Sequence, residues 1–427
     1  MAYTKKIVAG IGDKIQYLTR DYSDNTIRFI VRYQGRIHSE ILRDATQKVV
    51  ESVDVLHASF HATDSQAYWL VHEDYTVNDY FQMLETQEDP MEKANELSLL
   101  SIQPKDKTQL RCYLVRRMTE SVIVLLVSHI CTDGIDAKYL FEKLTEAYNN
   151  LLDKGNAWNV KIKNGSRATE QIYNNVPKKD YRSLLKNPMS KVKTEFPYPT
   201  KGKGTPRMIY TSIPKDMTER VNGFAKLHSV TFHDVLLAAC CYAYSELPGK
   251  NATEPMNLVL RNDLRKCCRN GDSEGVSNMM GSVPIQLPNG LGDSFSATLI
   301  HIATQTKAAK DAPAAGIEGM PIVHGAAKSL PMKMLTTLSG KMNGNSTISV
   351  IDLGDIDTTT IELGKVIPDM GVFAGSLRKK PGMQISVMSV DGNVTLCIAG
   401  LYSEEDEELL QTMLNRVADE VKKHALF

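Results

Sequence analysis

Residues 121–144 read SVIVLLVSHICTDGIDAKYLFEKL. Val122 to Val127 form an unbroken apolar run without polar alternation, which predicts a central strand covered on both faces. The run ends at His129, and Asp133 and Gly134 follow. From Ile135 to Leu152 a helical pattern places Leu140, Leu144, Ala147 or Tyr148, and Leu151 on one face. An ionisable side chain is thus delivered to the carboxyl end of a buried strand, where the chain leaves the sheet. Gly134 allows a tight bend at that exit. Asp133 stands at the mouth of the helix, where it can cap it or turn back and fix the loop carrying His129.

An imidazole held half out of water takes up a proton near neutral pH. An alcohol, amine or thiol is a poor nucleophile until its proton is removed, and a positioned histidine does this as the acceptor attacks a thioester carbonyl. The imidazolium then returns the proton to the departing thiolate, and no serine or cysteine intermediate is required. The plainer reading is a structural histidine at a strand end. The setting between a fully apolar strand and a strong helix favours chemistry.

Outward from this segment, 427 residues are too many for one ordinary core and suggest two domains or one large one. Lysine plus arginine equals aspartate plus glutamate at 50 each, so charge makes no case for a nucleic-acid or membrane-surface partner. The start, MAYTKKIVAGIGDKIQ, has no long apolar run and does not read as a signal peptide, and the run at Val122 is too short to span a bilayer. The seven cysteines, Cys112, Cys131, Cys240, Cys241, Cys267, Cys268 and Cys397, are irregularly spaced without a Cys-x-x-Cys. They support neither a disulfide framework nor a structural zinc site, and read as reduced thiols in a cytoplasmic protein.

Strands and helices alternate through the first third. TIRFIVRYQG predicts a half-buried strand, SEILRDATQKVVESVDVL a helix, HASFHA and AYWLVHEDY two strands about Asp64 and Ser65, and QLRCYLVRRM a partner for the Val122 strand. From Asp153 to Pro206, Gly, Asn, Lys and Pro accumulate, as expected of a crossover with a short helix inside. A second series follows. RMIYTSI, MNLVLRNDLR, STISVIDLGDI, MQISVMSVDGN and VTLCIAGLY read as strands, the last two a hairpin about Asp391 and Gly392. DMTERVNGFAKLH, TFHDVLLAACCYAYSELP, SFSATLIHIATQTKAAK, the region of Leu330 to Leu338 and EEDEELLQTMLNRVADEVKK read as helices, with Thr231 and Asp234 capping the second. The expectation is an α/β chain of two lobes with mixed or antiparallel sheets and covering helices: residues 1–155, a linker at 156–206, and residues 207–427, with a pocket where they meet.

The His-x-x-x-Asp-Gly segment resembles the signature of the condensation-domain and chloramphenicol-acetyltransferase superfamily of CoA- and carrier-dependent acyltransferases. That motif often has two histidines, the second catalytic; here Ser128 stands at the first and His129 at the second, as in plant members. The likeness continues in order along the chain. VLHASFH is similar to the family's "hpvLRtrF", TFHDVLLAACCYAYSEL to "TvnDvllAAl", LRNDLRK with GVSNMMGSVPIQLP to "vNlR … vGN … lP", and STISVIDLGDI to "vSNlG". The resemblance implies two chloramphenicol-acetyltransferase-like lobes with an active-site tunnel between them. It implies His129 as general base and Asp133 as organiser, with acyl-CoA or a phosphopantetheine-linked acyl group as co-substrate, an alcohol or amine acceptor, and no permanently bound cofactor or metal. In the family the arginine of "LRt" often pairs with the motif aspartate; here that position is His57, so Asp133 needs another partner, His57 itself or Arg265. Ser277, Asn278 and Asp352 are candidates for the tunnel wall. The rival reading is a catalytically inactive module that binds a carrier protein or an enzyme partner. A thioester hydrolase using water is a third.

Other residues draw less weight. Cys131 reads as a buried inert thiol. His228 and His233 read as surface or capping residues, and Lys201, Lys203 and Arg207 as a solvated linker face more than a phosphate site.

Overall fold

The structure is a computed structural model of the chain. It describes residues 3–424 apart from 156–159, 174–175, 179–180, 186–194, 203, 269–274, 313 and 344–347. Lys203 therefore lies outside the described residues.

In the first half the strands are β1 (Tyr3–Val8), β2 (Thr26–Tyr33), β3 (Ala58–Ala62), β4 (Ala67–His72), β5 (Phe81–Glu85), β6 (Leu110–Arg116) and β7 (Ser121–Ser128). In the second they are β8 (Thr205–Ile213), β9 (Met256–Asp263), β10 (Met280–Leu287), β11 (Ile348–Ile356), β12 (Pro368–Ala374), β13 (Met383–Val390) and β14 (Asn393–Tyr402). They form two large sheets, a five-stranded one in the order β12-β2-β7-β6-β5 and a six-stranded one in the order β10-β9-β11-β13-β14-β8, with a small sheet β1-β4-β3 beside them. Both large sheets are mixed: β5 runs parallel to β6, and β11 parallel to both β9 and β13, while the other pairs are antiparallel.

The apolar run lies in β7, which is buried along its whole length between β2 and β6. The helix that follows, Gly134–Lys154, buries Ala137, Leu140, Phe141, Leu144, Ala147 and Tyr148 and packs on the helix Ser39–Ser52. It ends at Gly155, whose φ of 69° is open to glycine without a Cβ penalty. Across the molecule, the helices Phe232–Ser245 and Glu404–Lys423 pack together over the six-stranded sheet. Thr231 and Asp234 form the expected capping box at the start of the first. β13 and β14 join through Asp391 and Gly392, both left-handed at φ 51° and 74°, the geometry of a tight hairpin turn. The crossover holds a 3₁₀ turn at Thr169–Tyr173 and a short helix at Tyr181–Leu184.

One strand departs from the expected division. β12, far along the second half, pairs antiparallel with β2 and so completes the sheet of the first half. Val372, Ala374, Cys397 and Ala399 share one apolar cluster with Ile30, Val124 and Leu126. The two halves of the chain are therefore joined by backbone hydrogen bonds, and the two sheets share a common core. Among the described residues no helix is long and apolar enough to cross a membrane.

Candidate active site

His129 sits one residue beyond β7, and its backbone is pinned by hydrogen bonds from both sides. Its N–H donates to the Asn25 carbonyl at 2.8 Å, and its own carbonyl accepts from the Asn278 amide at 2.7 Å. Asn25 is itself left-handed, with φ 54°, and its side-chain amide is tied to Gln16, Thr19 and Ser23. The imidazole Nδ1 lies 2.8 Å from the Thr132 carbonyl oxygen. A carbonyl only accepts, so Nδ1 carries the proton and Nε2 is the free base. The Asn278 amide nitrogen, 3.4 Å from Nδ1, is too distant to reverse this assignment. Burial lowers the pKa of His129, and the Asp133 charge and the Thr132 carbonyl oppose the shift without cancelling it. The ring is half-buried and neutral at pH 7, with no partner for Nε2 among the described residues.

Asp133 is fully buried and makes no hydrogen bond to His129. One carboxylate oxygen caps the helix, accepting from the N–H groups of Ile135 and Asp136, both at 3.1 Å. The other accepts from the Met279 N–H at 2.7 Å and from Arg265 at 2.9 Å. Both roles open to it from the sequence are thus filled at once, helix cap and loop anchor, and the anchor is in the second half of the chain. Arg265 also reaches Asp136 at 2.6 Å and Asp263 at 2.9 Å. Burial alone would lower the Arg265 pKa, but the three carboxylates outweigh it and raise it. Asp136 is pushed up to about 7 by burial and then by Asp133, against Arg265 and the Ser277 N–H.

His129 opens onto a cavity of about 770 Å³ between the two large sheets. Its wall takes Gln16, Ser23 and Ile27 from the first half, and Arg261, Asn278, Asp352, Phe373 and Arg378 from the second. The expected residues sort as follows. Asn278 and Asp352 line the wall; Ser277 does not, because its side chain is buried and its N–H donates to Asp136 at 2.6 Å. His57 is not the partner of Asp133: its Nδ1 donates to the His72 carbonyl at 2.9 Å and its ring faces Tyr75. Gly134 is not a left-handed bend but the first residue of the helix. A Cβ there would lie 3.3 Å from the side chains of both Leu353 and Phe373, a tight fit to which they would have to yield by a few tenths of an ångström. Ser128 is buried, its hydroxyl without a partner among the described residues. His233, in the first turn of the helix Phe232–Ser245, is partly exposed and bonds Asp352 at 3.0 Å. Cys131 is buried and desolvation pushes its thiol up to about 12, so it offers no thiolate. Arg207 is occupied by Glu407 and Glu404.

Two features had no signal in the sequence. Arg167, in the crossover, pairs with buried Asp13 and donates to the carbonyls of Cys131 at 2.8 Å and Val276 at 3.1 Å. It ties the motif loop to the second half from a segment whose composition reads as linker. Arg261 enters the cavity from β9, and Arg378 from the segment between β12 and β13.

The comparisons with known proteins agree with this architecture. A family model described as a condensation domain matches residues 16–254, more than half of the chain. Tyrocidine synthase 3 of Brevibacillus parabrevis is 22% identical over 251 residues, 56% of this chain, and the match spans only 4% of that protein. Among solved structures, the first condensation domain of the CDA synthetase superposes with a TM-score of 0.71 at 14% identity, covering 99% of this chain and 98% of that one. TRI3 trichothecene 15-O-acetyltransferase from Fusarium sporotrichioides gives 0.69 at 13%, covering 97% and 95%. Polyketide synthase associated protein 5 from Mycobacterium tuberculosis gives 0.66 at 14%, covering 98% and 99%. At such identities the structures speak for the fold, and the family model for descent: the chain belongs to the condensation-domain family.

Proposed function

We propose that the protein is an acyltransferase that moves an acyl group from a thioester, on CoA or on a carrier protein, to a hydroxyl or amine. The observation that carries this is the tautomer of His129, with Nδ1–H spent on the Thr132 carbonyl and Nε2 left free at the cavity. In the reaction the acceptor O–H or N–H gives its proton to Nε2 as its heteroatom attacks the thioester carbonyl. The tetrahedral intermediate collapses with cleavage of the C–S bond, and the imidazolium protonates the leaving thiolate. Asp133 does not touch the reacting atoms. It holds the loop of His129 against the second half through Arg265 and the Met279 N–H.

The feature that favoured a binding-only module was the histidine at position 57 where the family has an arginine. Arg265 supplies Asp133 with a cation from another place, which takes away that argument. The test is thiol release from a panel of acyl-CoA and acyl-carrier thioesters, with and without amine and hydroxyl acceptors. Release that requires both thioester and acceptor supports transfer. Release without acceptor identifies a hydrolase, and tight binding with no release identifies a recruiting module.

A further inference from the structure

Among the described residues, the enclosed or half-buried guanidinium groups around the motif are matched by carboxylates, with two exceptions. Arg28 pairs with Asp24, Arg167 with Asp13, and Arg265 with Asp133, Asp136 and Asp263. Arg261 bonds only the Ser282 hydroxyl, at 2.5 Å, and Arg378 only the Gln384 amide oxygen, at 3.0 and 2.8 Å. Neither makes an ion pair among the described residues, and both stand in the wall of the cavity that holds His129. Burial lowers the pKa of each; Arg261 falls to about 10, with the Arg378 charge contributing, so the two cations feel one another. Among the described residues, no carboxylate of the same wall is in ion-pair contact with either arginine. Asp263 faces Arg265, Asp352 faces His233, and Glu318 accepts from the Gly316 N–H. Two enclosed like charges without a counter-ion are costly to the fold, and a site that pays such a cost is built for an anion.

We propose that one substrate carries a carboxylate at its reacting end, received by Arg261 and Arg378 in the wall they share with His129. The proposal rests on the acyl-transfer reading of that histidine. A guanidinium matches a carboxylate with two parallel N–H donors, and each of these arginines keeps donors unspent. The phosphate of a pantetheine arm is a weaker match. It lies at the opposite end of the arm from the thioester, whereas the Arg261 charge is close enough to act on the His129 ring. The carboxylate can belong to the acceptor, as in an amino acid, or to a dicarboxylic acyl group.

Thermal unfolding of the full chain is measured with benzoate, N-acetylglycine and succinate against their matched amides, and with inorganic phosphate, at fixed ionic strength, for the wild type and for R261Q and R378Q separately. The expected result is a rise in Tm with at least one carboxylate, absent with its amide and with phosphate, and lost in each variant. No advantage of any carboxylate over its amide overturns the proposal, as does an equal rise with phosphate or a rise that survives both substitutions. Each variant's own Tm without ligand reports whether it folds, and the second variant decides where the first does not. Transfer assays then locate the source, comparing glycine with glycinamide as acceptors and succinyl-CoA with butyryl-CoA as donors. The charged member of one pair is expected to lead by roughly 10- to 100-fold in kcat/KM, and R261Q and R378Q to erase that lead. Carboxylate binding without transfer leaves the pocket standing and removes the enzyme; transfer without a carboxylate advantage does the reverse.

Discussion

A single carbonyl decides what His129 is able to do. The Thr132 carbonyl accepts the Nδ1–H hydrogen bond, which leaves the Nε2 lone pair free, and burial favours the neutral ring. The acid limb of the transfer rate is therefore expected to have its midpoint below 6.5, the ordinary value for histidine, with activity level through neutral pH. A midpoint at or above 6.5 in a pH–rate profile would contradict this. Asp136 titrates in the opposite sense. Its folded-state pKa is raised to about 7 from an unfolded 3.8, so between those values the folded chain holds a proton that the unfolded chain has lost. Its contribution to stability is present at low pH and is lost as pH rises toward 7. Relative to Asp136→Asn, the wild type is expected to lose on the order of a few kcal/mol between pH 4 and 7, read from urea unfolding at both pH values. Arg265→Ala leaves Asp133 and Asp136 enclosed without their cation and should cost about 3–5 kcal/mol in the same assay. His129 and Asp133 were legible in the sequence because a fully apolar strand and a strong helix bracket them. The partner of Asp133 was not, because Arg265 lies 132 positions away and local pattern carries no information on that pairing.

At the scale of elements, periodicity was readable wherever one face is buried. β7 and the helix Gly134–Lys154 follow their apolar patterns closely, and the hairpin of β13 and β14 follows from Asp391-Gly392, whereas β2, expected to be half-buried, is buried at every residue but Arg32 because it lies between β12 and β7 with both faces covered. Gly392→Ala puts a Cβ on a residue at φ 74° and is expected to destabilise by about 1–2 kcal/mol, measured by denaturant unfolding. A cost near zero would mean that the turn relaxes. β1, β5, β10 and β12 carried weaker signals. β5 is short and mostly exposed at a sheet edge, with only its first residue buried, and β12 is a seven-residue strand holding Pro368 and Gly371. Gly371 has a packing reason, since a Cβ there would meet Met388 at 2.1 Å and Val390 at 2.6 Å. That contact is between sheets and leaves no trace in local periodicity.

For the molecule as a whole, β12 matters most. It carries the second half of the chain into the first sheet, and its own Val372 and Ala374 share a core with Ile30, Val124 and Leu126. The two halves are accordingly expected to unfold together. In a Trp158→Phe background, fluorescence of buried Trp69 and far-ultraviolet circular dichroism should give one coincident urea transition. Two separated transitions would show independent lobes. A fragment ending at residue 155 lacks β12, exposes the edge of β2, and is expected to aggregate in light scattering. Two-lobed α/β organisation was visible in the alternation of strand and helix. The exchange of a strand was not, because register between distant strands is set by tertiary packing.

The direct measurement of the central claim is the turnover of His129→Ala beside the wild type, on any thioester and acceptor pair that the wild type joins. General-base action at Nε2 predicts a fall of about 10²–10⁴-fold with the unfolding midpoint preserved. A folded His129→Ala protein with wild-type turnover would contradict it.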